Sequence, residues 1–239
     1  MQALGWLSAS VTLFLLAGAP APIAQSRETD SFSEQRRNMV ESQLRERGIA
    51  QPELLDAMLA VPRHRFVPEE LQEQAYQDGS LPIGWGEFIS EPYLSARMIE
   101  LLALKGGERV LEIGTGSGYD AAVLAQIAAE VYTVEITPVL AERAGATFET
   151  LGYGNIRVRT GDGYEGWDEY APFDAIILTA APPSVPDALL EQLEVSGRMV
   201  VPVGRFLQEL MVITKLPDGS QTRTVMPVRL GPMRQPPPP

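Results

Sequence analysis

Cysteine is absent from the 239-residue chain, which excludes disulfides, thiolate zinc centres and cysteine nucleophiles together. Histidine occurs once, at His64. A multi-histidine metal site is therefore excluded, no metal is expected, and a Ser-His-Asp hydrolase would have a single candidate base. No G-x-S-x-G elbow surrounds any serine, which disfavours that hydrolase further. Basic residues are few, 19 against 31 acidic ones for a formal net charge of −12, and no dense Lys/Arg run is present. A nucleic-acid backbone is accordingly not an expected partner. Internal repeats with a period of roughly 20–50 residues are missing too, so a solenoid is not supported.

Charge is missing altogether from residues 5–25, "GWLSASVTLFLLAGAPAPIAQ". This stretch is similar to the h-region of a secretory signal, but it lacks a basic n-region and is shorter than the ~20 apolar residues of a spanning helix. Two readings stay open: periplasmic export or membrane tethering through this segment, or an atypical extension on a cytoplasmic protein. Residues 1–30 are set outside the fold, and any membrane contact is expected only through them. At the other end, residues 229–239 finish in "RQPPPP", which cannot continue a helix or a central strand.

What remains suits an ordinary globular core, with 45% hydrophobic residues over the chain, and a monomer is expected. Residues 31–106 begin with a charged helix over 33–48 and a short amphipathic helix over 52–60, which stops at "VPRHRFVP". From Glu108 strands and helices alternate. "RVLEIG", "EVYTVEI", "NIRVRTGD", "FDAIILTAA" and "GRMVVPVG" read as strands. One helix between them opens at Thr137 and Pro138, and another spans 186–193. Residues 107–228 are therefore an α/β unit with a doubly wound, mostly parallel sheet. An antiparallel hairpin around Pro217-Asp218-Gly219 closes one edge.

The loop "EIGTGSGYD" (112–120) joins the first of these strands to its helix, where open α/β sheets bind ligands. Gly114, Gly116 and Gly118 are spaced G-x-G-x-G rather than as the dinucleotide fingerprint. An acidic residue, Glu135, follows Gly114 by 21 positions, where it can accept hydrogen bonds from ribose hydroxyls. An adenosine without phosphates suits this pair better than a dinucleotide, although an oxidoreductase stays as an alternative. Asp162 in "GDGYEGW" ends the next strand, either as a turn residue or as a partner for an adenine amino group. In "LPIGWGEFISEPYLSARM" (81–98), Ser90 precedes Glu91-Pro92 and an apolar helical pattern. It reads as a helix N-cap or as a donor to a bound carboxylate, and the two are compatible. His64, between Arg63 and Arg65, reads as structural or surface.

Taken in order, "VPRHRFVP", "AYQDGSLPIG", "LPIGWGEFISEPYLSARMIELL", "VLEIGTGSGYDAAVLA", "GDGYEGWDEYAPFDAIILTAA" and "GRMVVPVG" resemble the protein-L-isoaspartate O-methyltransferase family over about residues 35–228. The resemblance implies a Rossmann-like methyltransferase that uses S-adenosyl-L-methionine to methylate the carboxylate of L-isoaspartyl residues in damaged proteins and peptides. The ester then collapses to a succinimide, which begins repair. It further implies Ser90 at the substrate carboxylate, with Ile83, Gly84, Pro202 and Val203 on the peptide rim. Glu112, Gly114, Gly116, Gly118, Glu135, Asp162 and Gly163 would hold the cofactor. Where the family usually reads Gly-His-Gly-Gln-Thr-Ile-Ser, this chain has Gly84-Trp85-Gly86-Glu87-Phe88-Ile89-Ser90. A divergent methyltransferase of another peptide carboxylate and a non-catalytic cofactor- or peptide-binding module are the alternatives.

Overall fold

A computed structural model describes residues 30–236; the leader-like residues 1–29 and the last three prolines lie outside the described residues. The expected charged helix is present as α1 (Asp30–Asn38), which runs into a π-helical stretch over Met39–Arg45 that buries Met39, Val40 and Leu44. The second expected helix is α2 (Pro52–Ala60), with Pro52 in its first turn. A hairpin follows, β1 (Leu81–Gly84) and β2 (Glu87–Ile89), and then α3 (Pro92–Leu102). The hairpin turn holds Gly84, Trp85 and Gly86 at φ of 96, 53 and 78°. That left-handed run explains the two glycines flanking Trp85.

The main sheet is built from β3 (Arg109–Ile113), β4 (Glu130–Glu135), β5 (Ile156–Thr160), β6 (Phe173–Leu178), β7 (Leu193–Val203), β8 (Gln208–Leu216) and β9 (Gly219–Val228). Between them run α4 (Tyr119–Ala125), α5 (Pro138–Leu151) and α6 (Asp187–Gln192). Strand order is β5-β4-β3-β6-β7-β8-β9. The five strands from β5 to β7 are parallel, while β8 and β9 form the antiparallel edge hairpin. Successive strands leave β3 in opposite directions, toward β4 on one side and β6 on the other. The carboxyl ends of β3 and β6 thus flank the switch-point crevice.

Period-two alternation explains why both faces are covered. Val110, Val131, Ala175, Ile177 and Val200 enter one buried cluster with α2 to α5. Their neighbours Leu111, Tyr132, Ile176, Met199 and Val201 enter a second, with Trp167 and Leu189. Helix α5 starts where expected, with Thr137 at the N-cap and Pro138 in the first turn, and it stops at Gly152, whose φ is 79°. Strand β7 begins at Leu193 rather than Gly197, because Leu193 already pairs with Phe173 before the register shifts toward Ala175.

Candidate active site

The crevice holds a partly open cavity at the carboxyl ends of β3 and β4, a concave site of the kind that takes small molecules. Its floor is the glycine loop. Gly114 leaves β3 at φ 101°, and a Cβ there would stand 2.4 Å from Thr179 Oγ1. That hydroxyl donates to the Gly114 carbonyl at 2.6 Å and so clamps the loop to the end of β6. Gly118 answers a different demand. A Cβ on it would meet the Phe148 ring at 2.6 Å, so its small size serves packing of α5 against α4.

Glu135 ends β4 and is 5% exposed. Its Oε2 accepts from the Gly116 N–H at 2.8 Å and its Oε1 from the Thr137 N–H at 2.9 Å. A carboxylate offers about four lone-pair directions, so capacity for two ribose hydroxyls remains. Glu112 is fully buried in β3. Its Oε2 accepts from Thr133 Oγ1 at 2.6 Å, a hydroxyl that also contacts Thr115 Oγ1 at 2.6 Å, while its Oε1 has no partner among the described residues. Burial lifts the Glu112 carboxyl well above the usual range, and the charges of Asp120 and Glu135 push it in the same direction. Asp120, at the start of α4, also lines the cavity with a buried, unpartnered Oδ1. Its pKa is raised by burial, against which the Ser95 hydroxyl and the Arg63 guanidinium act. Two inward carboxylates with open oxygens fit a ligand that carries positive charge.

Ser90 lines the same cavity. It is not the cap of α3: Glu91 occupies the N-cap with extended ψ of 147° and makes no side-chain cap bond, and Pro92 begins the helix. Proline is favoured at the first helical position, so the helix starts at Pro92 and the cap position falls on Glu91, one residue after Ser90. Ser90 is instead fixed through its carbonyl, which accepts from Arg63 Nη2 at 2.5 Å. Arg63 is itself fully buried, bonds the Ala75 carbonyl at 2.8 Å and lies over the Tyr119 ring. His64 is structural, buried against Phe32 with Nδ1 2.8 Å from the Tyr76 hydroxyl.

The other expected residues divide. Gly163 lines the cavity, and a Cβ there would meet Ile113 at 2.4 Å. Asp162 lies beside it with Oδ1 accepting from the Tyr164 N–H at 2.9 Å, as the cap of a short 3-10 turn. A Cβ on Gly116 would lie 3.6 Å from the Ile83 side chain, and the Ile83 carbonyl accepts from Arg143 at 3.0 Å. Pro202 and Val203 pair with Leu210 and Glu209 inside the sheet. Neither these two nor Ile83 and Gly84 line the cavity or the groove that opens from it. That groove shares Phe88, Ser90 and Thr179 with the cavity and continues past Glu91 and Leu94 to Val228 and Arg229.

Sequence reasoning missed the last wall. Beyond β9 the chain crosses the crevice, held by Ala181 N–H to the Gly231 carbonyl and Met233 N–H to the Ala181 carbonyl, both 2.8 Å. Pro232, Met233 and Arg234 thereby line the cavity. Arg234 Nη2 stands 2.7 Å from Glu87 Oε1. Burial raises the Glu87 pKa, Arg234 opposes that rise, and Glu135 adds to it. Asp120 was also missed as a ligand group, although it closes the quoted glycine loop. Among the described residues no cluster of three or more His, Asp or Glu is placed to hold a metal ion, and no helix is long and apolar enough to cross a membrane.

Comparison with known proteins shows the family of the chain. The family model described as "Protein-L-isoaspartate(D-aspartate) O-methyltransferase (PCMT)" matches residues 34–235. A protein-L-isoaspartate O-methyltransferase of Gloeobacter violaceus is 53% identical over 197 residues, 82% of this chain and 96% of the relative. One of a Synechococcus strain is 49% identical over 226 residues, 91% and 93% of the two chains. Among solved structures, a protein-L-isoaspartate O-methyltransferase superposes with a TM-score of 0.76 at 29% identity, covering 84% of this chain and 66% of that one. A Plasmodium falciparum structure in complex with S-adenosyl-L-homocysteine shares the fold, with a TM-score of 0.71 at 24% identity over 83% of this chain and 98% of that one.

Proposed function

The chain belongs to the protein-L-isoaspartate(D-aspartate) O-methyltransferase family, and from that premise we infer how its own residues carry out S-adenosylmethionine-dependent methylation of L-isoaspartyl carboxylates, the step that begins repair through a succinimide. When bound, the cofactor supplies an electrophilic methyl group on a positively charged sulfur. Glu135 would accept from its ribose hydroxyls, the backbone at Gly114 and Gly116 would let it approach closely, and Gly163 would leave room for its base. Glu112 and Asp120 would face its positive charges with their open oxygens. Asp162 would act by holding the turn that carries Gly163.

The substrate needs no general base from the chain. A carboxylic acid with a pKa of roughly 4 is already ionised at neutral pH. What the protein contributes is orientation: one carboxylate oxygen must be held in line with the methyl group and water kept out. Ser90 would donate its hydroxyl to that carboxylate, on a backbone fixed by Arg63. The peptide around it would lie in the groove between Glu91, Leu94 and the end of β9. One observation carries this reading: Ser90 and the glycine loop share one cavity, and the groove opens from it at Ser90.

Methyl transfer to an isoaspartyl peptide, run beside its normal aspartyl twin, tests the assignment. Transfer to the isoaspartyl peptide alone is the expected result. Equal transfer to both peptides points to another carboxylate, and cofactor binding without transfer to either points to a binding module. The uncharged, apolar residues 5–25 support a further reading, that the enzyme works outside the cytosol; sequencing the mature N-terminus after cell fractionation tests it.

A further inference from the structure

The cavity wall is acidic. Glu87, Glu112, Asp120 and Glu135 all line it, and Arg234 is the one cation among the described lining residues. The substrate of the inferred reaction is itself an anion, and it enters through the groove, whose lining also includes Glu87. An uncompensated carboxylate at that junction would repel the substrate, and incomplete hydration would strengthen the repulsion. Glu112 and Asp120 sit where they face a cationic cofactor, but Glu87 is on the substrate side, three residues before Ser90. Its compensation is Arg234, 2.7 Å away.

The backbone holds that pairing in place. Hydrogen bonds of the strap to Ala181 fix residues 231 and 233. Tyr164 donates its hydroxyl to the Met233 carbonyl at 3.3 Å, and Gln208 bonds Leu230 in both directions at 2.9 and 2.7 Å. The guanidinium reaches the hairpin turn, where a Cβ on Gly86 would be in ordinary contact with Arg234 Nη2 at 3.7 Å. Arg234 is exposed and Glu87 half-buried, with side-chain exposures of 46% and 31%, so the pair is open to solvent and its strength falls with added salt.

We propose that Glu87 and Arg234 form one specificity element of the substrate site, in which Arg234 cancels the charge that Glu87 would otherwise place in the path of the isoaspartyl carboxylate. Arg234 is a positioning and charge-compensating residue, and neither residue takes part in the chemical step. The proposal rests on the isoaspartyl methyltransferase reading above.

The test is a double-mutant cycle on the full chain, with an isoaspartyl peptide as substrate and cofactor affinity measured by calorimetry. Arg234→Gln should raise the peptide KM by about tenfold or more, with kcat within about threefold of the parent. Added salt should lower that raised KM, since like-charge repulsion is screened. Glu87→Gln, which leaves Arg234 as an unopposed cation at the groove, should lower the peptide KM, and Glu87→Gln/Arg234→Gln should recover most of the loss seen in Arg234→Gln. Cofactor affinity should be unchanged throughout, and thermal unfolding reports whether the variants are folded. A double variant as impaired as Arg234→Gln overturns the proposal, because Arg234 would then be needed for itself. So does a loss in Arg234→Gln that appears in cofactor affinity instead of peptide KM. A parent chain that binds cofactor but leaves the isoaspartyl peptide unmethylated overturns the functional reading and this proposal together.

Discussion

Glu135 and Gly116 are joined by a 2.8 Å hydrogen bond from the Gly116 N–H to the Glu135 carboxylate, which locks the glycine loop of β3 to the end of β4. One side chain thus shapes the cofactor loop and faces the cavity. Glu135→Gln keeps the size but places an amide where two backbone N–H donors converge. It should weaken cofactor binding by about 10- to 100-fold, since hydrogen bonds to a charged group are worth roughly 1.5–3 kcal/mol. Calorimetric titration reads this directly, and an unchanged affinity would remove Glu135 from the cofactor site.

Ser90→Ala separates the substrate from the cofactor. Loss of one donor to a carboxylate should lower kcat/KM for an isoaspartyl peptide by about 10- to 100-fold, with cofactor affinity within about twofold. Stability should hardly move, because Glu91, not Ser90, occupies the N-cap of α3. A rate equal to the parent would leave Ser90 without a role in transfer.

Glu112 gives a pH prediction with a definite sign. Its carboxyl is raised well above the ordinary value, first by burial. Between its unfolded and folded pKa values the native state therefore holds more protons than the unfolded chain, and stability falls as pH rises through that interval. Without cofactor, the melting temperature of the parent should drop more steeply from about pH 5 upward than that of Glu112→Gln. A cationic ligand favours ionisation, so cofactor binding should release a proton. Buffers of different ionisation enthalpy will give different apparent binding enthalpies with the parent, and this dependence should shrink in Glu112→Gln. Identical behaviour of the two proteins would place Glu112 outside the binding event.

Gly118→Ala should destabilise the fold by about 2–3 kcal/mol, combining overpacking with left-handed strain. The new methyl would lie 2.6 Å from a buried Phe148 ring at a backbone φ of 86°. Chemical denaturation measures the loss, and a change below about 0.5 kcal/mol would mean that α5 shifts freely.

The parts legible in the sequence are those set by local pattern. The apolar runs of β3, β4, β6 and β7 are buried on both faces, and α5 carries its own start and stop in Thr137-Pro138 and Gly152. Hairpin β1–β2 escaped notice because its strands are four and three residues long, too short for alternation to register. The Ser90 cap was misplaced by one residue because Pro92 shifts the helix start. Arg234 was invisible for another reason. Its position depends on hydrogen bonds to Ala181, a residue distant in sequence, and a proline-flanked segment has no periodicity to announce such a docking.

The strap has a consequence for how the enzyme comes into being. Residues 232–234 line the cavity and follow the last strand of the sheet. All strands of the sheet precede these residues in the chain, so during synthesis the sheet can assemble first and the cavity is finished only once the strap docks. A folded but truncated product, clipped before Gly231, would keep its glycine loop and lose a wall. The integrity of the segment beyond β9 is therefore a simple assay for competent enzyme.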